Sequence, residues 1–316
     1  VGEIRRLTNS EMKLWRRCKR QWWLSHHRGL VSRRVEFNRP LSIGTRVHDA
    51  LAAYYDPFAR IDPLQHMADT VSLDVATYPA YEADIRKEAK LCEIMLEGYL
   101  QWCEETGADV GMELISAEGA DEYPLPLPDG APWADLRLLT KIDAQVRTPD
   151  ELRLALEHKT VGSLTIALPT LQMDTQCLTE HLVIHLKLNA EGREDERADG
   201  VLYNMLRKVK RTAAAKPPFY DRKPVRHNVS ELRNHWFHVT AIAAEIADAE
   251  NRLAAGESHH TVCPPNPTKD DSWQNPFFNI FPLFDDGSDV ESAIEELYVV
   301  RDPLERYADL LNDPED

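Results

Sequence analysis

From Leu138 to Arg147 the chain alternates two sets of residues, Leu138, Thr140, Ile142, Ala144 and Val146 against Leu139, Lys141, Asp143, Gln145 and Arg147. This is the period-two pattern of a strand. The run ends at Thr148-Pro149-Asp150, where proline presets a turn, and a second run then places Leu152, Leu154 and Leu156 on one face and Arg153, Ala155, Glu157 and Lys159 on the other. The pattern predicts a hairpin centred near Asp150, with Asp143 opposite Glu157. Residues 113–123 read as a first strand. Elsewhere the apolar spacing is helical. Thr8-Asn9-Ser10-Glu11 is a capping box that opens a helix with Met12, Trp15, Cys18 and Trp22 on one face. Val47, Ala50, Leu51 and Tyr54 form a core stripe that leaves His48 at its margin. Ile85, Cys92, Met95, Leu96, Tyr99 and Cys103 mark a long helix, and Trp236, Val239, Ile242, Ile246 and Leu253 mark another over 231–254. The expected fold is α/β, a mixed central sheet flanked by helices. Residues 1–284 form one domain, with a helical part to about 106, a catalytic sheet over 113–160, helices and basic loops over 161–284, and a tail from 285 to 316.

The hairpin brings Asp143 and Glu157 within roughly 5 Å on one face of a sheet, where like charges repel. A divalent cation between them removes that penalty, and Lys159, two residues further on the same face, can hold or help deprotonate a water beside the metal. A lone Glu-x-Lys is common on exposed strands. Here Leu152, Leu154 and Leu156 argue for a core strand, where charges are costly and tend to be functional. His48, near a helix start, reads either as a capping or surface histidine or as an imidazole able to reach a metal.

Together Gly44-Thr45-Arg46-Val47-His48, Leu139-Thr140-Lys141-Ile142-Asp143 and Leu156-Glu157-His158-Lys159 resemble the PD-(D/E)XK nuclease superfamily. In particular they resemble its RecB-type branch and the phage-encoded relatives of the CRISPR-adaptation exonuclease. The resemblance covers most of the chain and implies a restriction-endonuclease-like core. It also implies that His48, Asp143 and Glu157 bind one or two Mg²⁺ or Mn²⁺ ions, that the backbone carbonyl of His158 is a further ligand, and that Lys159 is the catalytic lysine. Gln176 matches the glutamine of the family's Gln-x-x-x-Tyr helix motif, although Glu180 stands in the tyrosine's place. Many such relatives hold an iron-sulfur cluster with one early and three late cysteines. Cys18 matches the early position, but in the region 264–281 Asp271, Asn275 and Phe281 stand at the late ones, and Cys263 alone cannot replace three thiolates. No cluster is therefore expected, and Trp273, Phe277, Phe278 and Phe281 are expected to pack the closure instead. Cys92, Cys103 and Cys177 read as core or incidental thiols.

Of 316 residues 43% are apolar, enough for a substantial core. The net charge of −16 is unfavourable for approaching DNA until it is mapped. Residues 1–47 carry twelve Lys/Arg against three Asp/Glu and residues 201–226 carry eight against one, so both ends of the difference are local. Arg16, Lys19 and Arg20 in the first block and Arg207, Lys208, Lys210 and Arg211 in the second are candidate phosphate contacts, with Trp23 or Tyr203 for base stacking. The alternative for either block is a solvated helix face. After Leu283 twelve Asp/Glu face only Arg301 and Arg306, a solvated tail or short helices docked on the body. No apolar run reaches membrane-spanning length, no signal pattern is read, and five cysteines without framework spacing fit a reducing cytoplasm. The expected activity is that of a metal-dependent DNA exonuclease in phage or bacterial recombination or replication, with an annealing or recombination protein as a candidate partner and an oligomer open. The alternatives are an endonuclease on the same scaffold, a noncatalytic DNA-binding accessory protein, and a hydrolase of small phosphate esters.

Overall fold

The computed structural model describes residues 4–33, 43–58, 60–193, 195–268 and 275–311. The chain gathers into two compact units, one of Val1–Arg39, Glu122–Leu139 and Trp236–Asp316, the other of Pro40–Asp121 and Thr140–His235.

The second unit contains a five-stranded sheet built from β3 (Glu113–Ser116), β6 (Ala144–Arg147), β7 (Arg153–Val161), β8 (Ala198–Arg207) and β9 (Tyr220–Val225), in the order β3-β6-β7-β8-β9. β6 and β7 pair antiparallel with Ala144 opposite Leu156 and Val146 opposite Leu154, so the expected hairpin is present. β8 runs parallel to β7 and β9 antiparallel to β8, which makes the sheet mixed. A parallel neighbour needs a crossover, supplied here by α5 (Thr175–Ala190). Asp174 caps that helix by accepting the Gln176 backbone N–H at 3.0 Å.

Alternation on β7 sorts its side chains between two cores. Leu154 and Leu156 face α2 (Ile43–Tyr54), α3 (Pro63–Thr77) and α4 (Glu82–Thr106), packing with Val47, Leu51, Met95, Leu96 and Tyr99. Ala155 faces α5 and packs with Cys177, Ile184 and Leu188. The helical stripes read from the sequence are thus the buried faces of α2 and α4. Truncating Leu96, which is fully buried, to Ala costs about 2–5 kcal/mol. At Gly200 (φ +148°) the β7–β8 register shifts and a Cβ would lie 2.2 Å from the Val225 carbonyl oxygen, so only glycine lets β8 pass β9 there.

In the first unit β1 (Ile4–Thr8) pairs in parallel with β5 (Asp135–Ile142) from Ile4↔Asp135 to Thr8↔Leu139. Thr8 caps α1 (Asn9–Arg17) by accepting the Glu11 N–H, which bears out the capping box, and Met12, Trp15, Cys18 and Trp22 are buried. Cys18 is extended and interrupts the helix; its Sγ accepts the Asn266 backbone N–H at 3.4 Å. Phe277 and Phe281 are buried, whereas Phe278 is 40% exposed and does not pack the closure; Asp271 and Trp273 lie outside the described residues. The acidic tail is not simply solvated. It forms α6 (Val290–Leu297) and then β10 (Tyr298–Val300), which pairs antiparallel with β2 (Leu30–Ser32), while Arg28 holds Glu291.

Several boundaries differ from the sequence reading. The alternating run through Asp143 is two strands, β5 and β6, in different sheets, because the Asp143 peptide leaves the ladder and its carboxylate caps a free N–H on β7. Residues 113–123 likewise divide between β3 and β4 (Gly119–Pro124). The region 161–284 contains β8 and β9 as well as helices, and the amino-terminal helical part also contains β1 and β2.

Candidate metal centre

β7 carries Glu157 and Lys159 on the α5 face beyond Ala155, and both meet Gln176 from the first turn of α5. Lys159 Nζ lies 2.7 Å from Glu157 Oε1, 3.1 Å from Gln176 Oε1 and 3.5 Å from Asp174 Oδ2. Gln176 Nε2 donates to Glu157 Oε1 and to Glu180 Oε1, both at 3.0 Å. The glutamine therefore joins the lysine, the carboxylate and a second, fully buried glutamate one helical turn on.

Asp143 arrives from the break between β5 and β6. Because the β6–β7 ladder stops at Ala144↔Leu156, the His158 N–H has no strand partner on that side, and Asp143 Oδ2 accepts it at 2.8 Å. The same oxygen lies 3.5 Å from Nδ1 of His48 on α2. His48 is about one-quarter exposed, while Asp143 and Glu157 are buried.

Burial works against every charge here, yet the two carboxylates respond differently. For Asp143 it is overcome by hydrogen bonding to His48 and by the His158 N–H, which bring the carboxyl down to about 2. Glu157 is pushed up to about 7 by burial and by the Asp143 charge, with Lys159 pulling the other way. Burial, with the Glu157 charge beside it, also raises Glu180 well above its ordinary value. Burial alone would lower Lys159, but Glu157 raises it; burial likewise opposes the rise of His48, which comes from its bond to Asp143. The buried His158 imidazole is held down to about 3.

Among the described residues no three His, Cys, Asp or Glu side chains already enclose one point. The donor set nevertheless fits a divalent cation. Glu157 Oε2 is buried without a hydrogen-bond partner, Asp143 is ionised, and the His48 imidazole leans on that carboxylate. Small ions that prefer oxygen ligands, such as Mg²⁺ and Mn²⁺, suit one or two carboxylates with a backbone carbonyl and water.

Sequence reasoning missed two members. Asp174 drew no reading, its one signal being a cap-forming residue just before the helix, and Glu180 was seen only as a departure from the expected tyrosine. Glu118 is ion-paired to Lys141 at 2.7 Å.

The candidate nucleic-acid contacts divide. Arg16 is exposed on α1, and Lys19 Nζ lies 4.4 Å from the centre of the Trp15 ring. Arg20 is 2% exposed, bonded to Asp285 at 2.9 and 3.2 Å and set against Phe281 and Phe284, so it is withdrawn from any phosphate. In the second block Lys208, Lys210 and Arg211 are exposed and Arg207 is half-buried. Arg207 donates to the Lys216 carbonyl, while Arg211 lies 4.0 Å from the centre of the Phe219 ring and donates to the Tyr220 hydroxyl. Among the described residues none of these four has a carboxylate partner. The stacking candidates are not available: Tyr203 is fully buried with its hydroxyl on the Leu171 carbonyl, and Trp23 is buried and stacked on His259.

A family model described as the PD-(D/E)XK nuclease superfamily matches residues 6–269. No curated protein matches the chain. Among the described residues no helix is long and apolar enough to cross a membrane.

Proposed function

Because this chain belongs to the PD-(D/E)XK nuclease superfamily, a superfamily of metal-dependent nucleases, we propose that it is an exonuclease that hydrolyses phosphodiester bonds from DNA ends. We further propose that it serves phage or bacterial recombination or replication, with residues 1–284 acting as one nuclease domain. The observation that carries this reading is the meeting of Lys159, Glu157 and Gln176 on one face, with Asp143 and His48 joined to the same strand through the His158 peptide.

His48, Asp143, Glu157 and the backbone carbonyl of His158 would hold Mg²⁺ or Mn²⁺. When bound, the ion supplies charge neutralisation for the phosphate and lowers the pKa of water. The remaining work belongs to the chain. Lys159 stays protonated and gives hydrogen bonds to the attacking water, positioned by Gln176 and Asp174. In-line attack then leaves a 5′-phosphate and a 3′-hydroxyl, the usual family outcome. Glu180, whose carboxyl burial pushes up, accepts from Gln176 and so helps hold the glutamine. Lys208, Lys210 and Arg211, with Arg207, take backbone phosphates, and 5′ to 3′ digestion is the favoured polarity.

The test is digestion of linear single- and double-stranded DNA labelled separately at each end, beside a covalently closed circle, with Mn²⁺, Mg²⁺ or EDTA. Metal-dependent loss of the linear DNA with the circle intact is expected, and the label lost first gives the polarity. A cut circle would replace this reading with an endonuclease, and binding without cutting would replace it with an accessory protein.

A further inference from the structure

The face of β7 opposite Glu157 and Lys159 holds a row of polar groups where the neighbouring residues are apolar. His158 on β7, Asn204 on β8 and Arg222 on β9 lie at one register, His158↔Asn204 and Asn204↔Arg222. Around them Leu156, Leu202, Leu206 and Met95 pack the same face. His158 and Asn204 are fully buried, and Tyr55 from the end of α2 and Tyr99 from α4 close over the row. Burying polar groups in this setting is unfavourable unless each finds a partner.

Here the partners fix the orientation of the Asn204 amide and the tautomer of His158. Arginine can only donate, so Arg222 Nε, at 3.2 Å, makes the facing Asn204 atom its oxygen. The Asn204 amide nitrogen then donates twice, to the Tyr99 hydroxyl and to His158 Nδ1, each at 2.9 Å. Arg222 also donates to both tyrosine hydroxyls at 2.6 Å and pairs with Asp109 at 2.7 Å. Tyr99 therefore gives its proton to Tyr55, 2.5 Å away, and Tyr55 gives its own to Asp109 at 3.0 Å. With Nδ1 accepting, the His158 proton sits on Nε2. The ring is locked in plane and tautomer, stacked on Tyr55 at 5.4 Å and edge to face with His48 at 5.9 Å.

We propose that Asn204 and Arg222, with Tyr55, Tyr99 and Asp109 behind them, are positioning residues that fix the His158 ring as the wall against which His48 packs. The locked ring aims His48 Nδ1 at Asp143, and the same residue's N–H holds the Asp143 carboxylate. The ladder thus sets two of the metal's side-chain donors without touching metal or DNA. This inference rests on the metal-centre reading above. Outer-layer hydrogen bonds of this kind change metal affinity about 10–100-fold when removed.

The experiment is Mn²⁺ binding by the full chain, followed through the electron paramagnetic resonance signal of free Mn²⁺, on wild type, Asn204→Leu, Tyr99→Phe and Arg222→Lys. Thermal melting and DNA cleavage are measured in parallel. Asn204→Leu is expected to weaken Mn²⁺ binding about tenfold, with the DNA KM unchanged and kcat recovered at saturating Mn²⁺; Tyr99→Phe and Arg222→Lys should give smaller shifts. If Asn204→Leu fails to fold, Tyr99→Phe, which removes one oxygen, carries the test. A lower melting temperature with unshifted Mn²⁺ affinity in the folded fraction would overturn the ladder's role. Failure of the wild type to bind Mn²⁺ would overturn the metal-centre reading itself.

Discussion

Toward α5, β7 presents Glu157 and Lys159, whose charges answer each other across 2.7 Å; toward α2 and α4 it presents His158, whose Nδ1 joins a row of hydrogen bonds through Asn204. Both faces are buried, yet they are built differently. On the α5 face Glu157 Oε2 is left without a partner and the carboxyl is pushed up to about 7, so the group is poised to exchange a proton for a cation. On the other face donors and acceptors are matched from Asp109 to Asn204, and among these side chains only His158 leaves an atom, Nε2, without a partner. An incompletely satisfied charge marks where a ligand acts; a satisfied network marks what must not move.

Removing the acting side should cost most. Lys159→Ala is expected to lower cleavage by about 10²–10⁴-fold while gel-shift affinity for DNA stays at the wild-type level; unchanged cleavage would erase the difference between the two faces. Next comes pH. Because a metal must displace the proton that Glu157 keeps up to about pH 7, Mn²⁺ affinity should rise by up to about tenfold per unit below pH 7 and flatten above it. With a folded pKa above its ordinary 4.5, Glu157 favours the metal-free fold at low pH and withdraws that support as pH rises toward 7, whereas Asp143 contributes stability above pH 4 that is lost as pH falls toward about 2. Melting curves in EDTA across pH 2 to 8 check both; Mn²⁺ should restore stability only at the upper end.

The two basic blocks give a smaller contrast. Lys208→Ala and Lys210→Ala should each reduce the slope of log affinity against log salt by about 0.7–0.9 if each lysine meets a phosphate. Arg20→Ala should instead lower the melting temperature, since its buried guanidinium is bound to Asp285, and leave the salt slope unchanged. Salt titrations and melts on the three variants separate a phosphate track from an internal tie.

What was legible in the sequence was what neighbouring residues determine. The capping box at Thr8, the stripe from Ile85 to Cys103 and the hairpin that ends in Glu157-His158-Lys159 are each set by spacing within a few residues. The break at Asp143 was hidden because the alternation of side chains continues through it, although the backbone changes sheets. β8 escaped because nearly all its residues are buried, which removes the alternation that identifies a strand. Arg20 and Arg16 look alike in the chain; Asp285, 265 residues from Arg20, tells them apart. The His158–Asn204–Arg222 row was equally out of reach, since it exists only through the registers of three strands.

Whether Asp143 and Glu157 hold a cation beside Lys159 is decided by calorimetric titration of the full chain with Mn²⁺ at pH 8. Saturable binding is expected for wild type and for Lys159→Ala, with loss of that binding in Asp143→Asn and Glu157→Gln. Equal Mn²⁺ affinity in wild type, Asp143→Asn and Glu157→Gln would contradict that assignment.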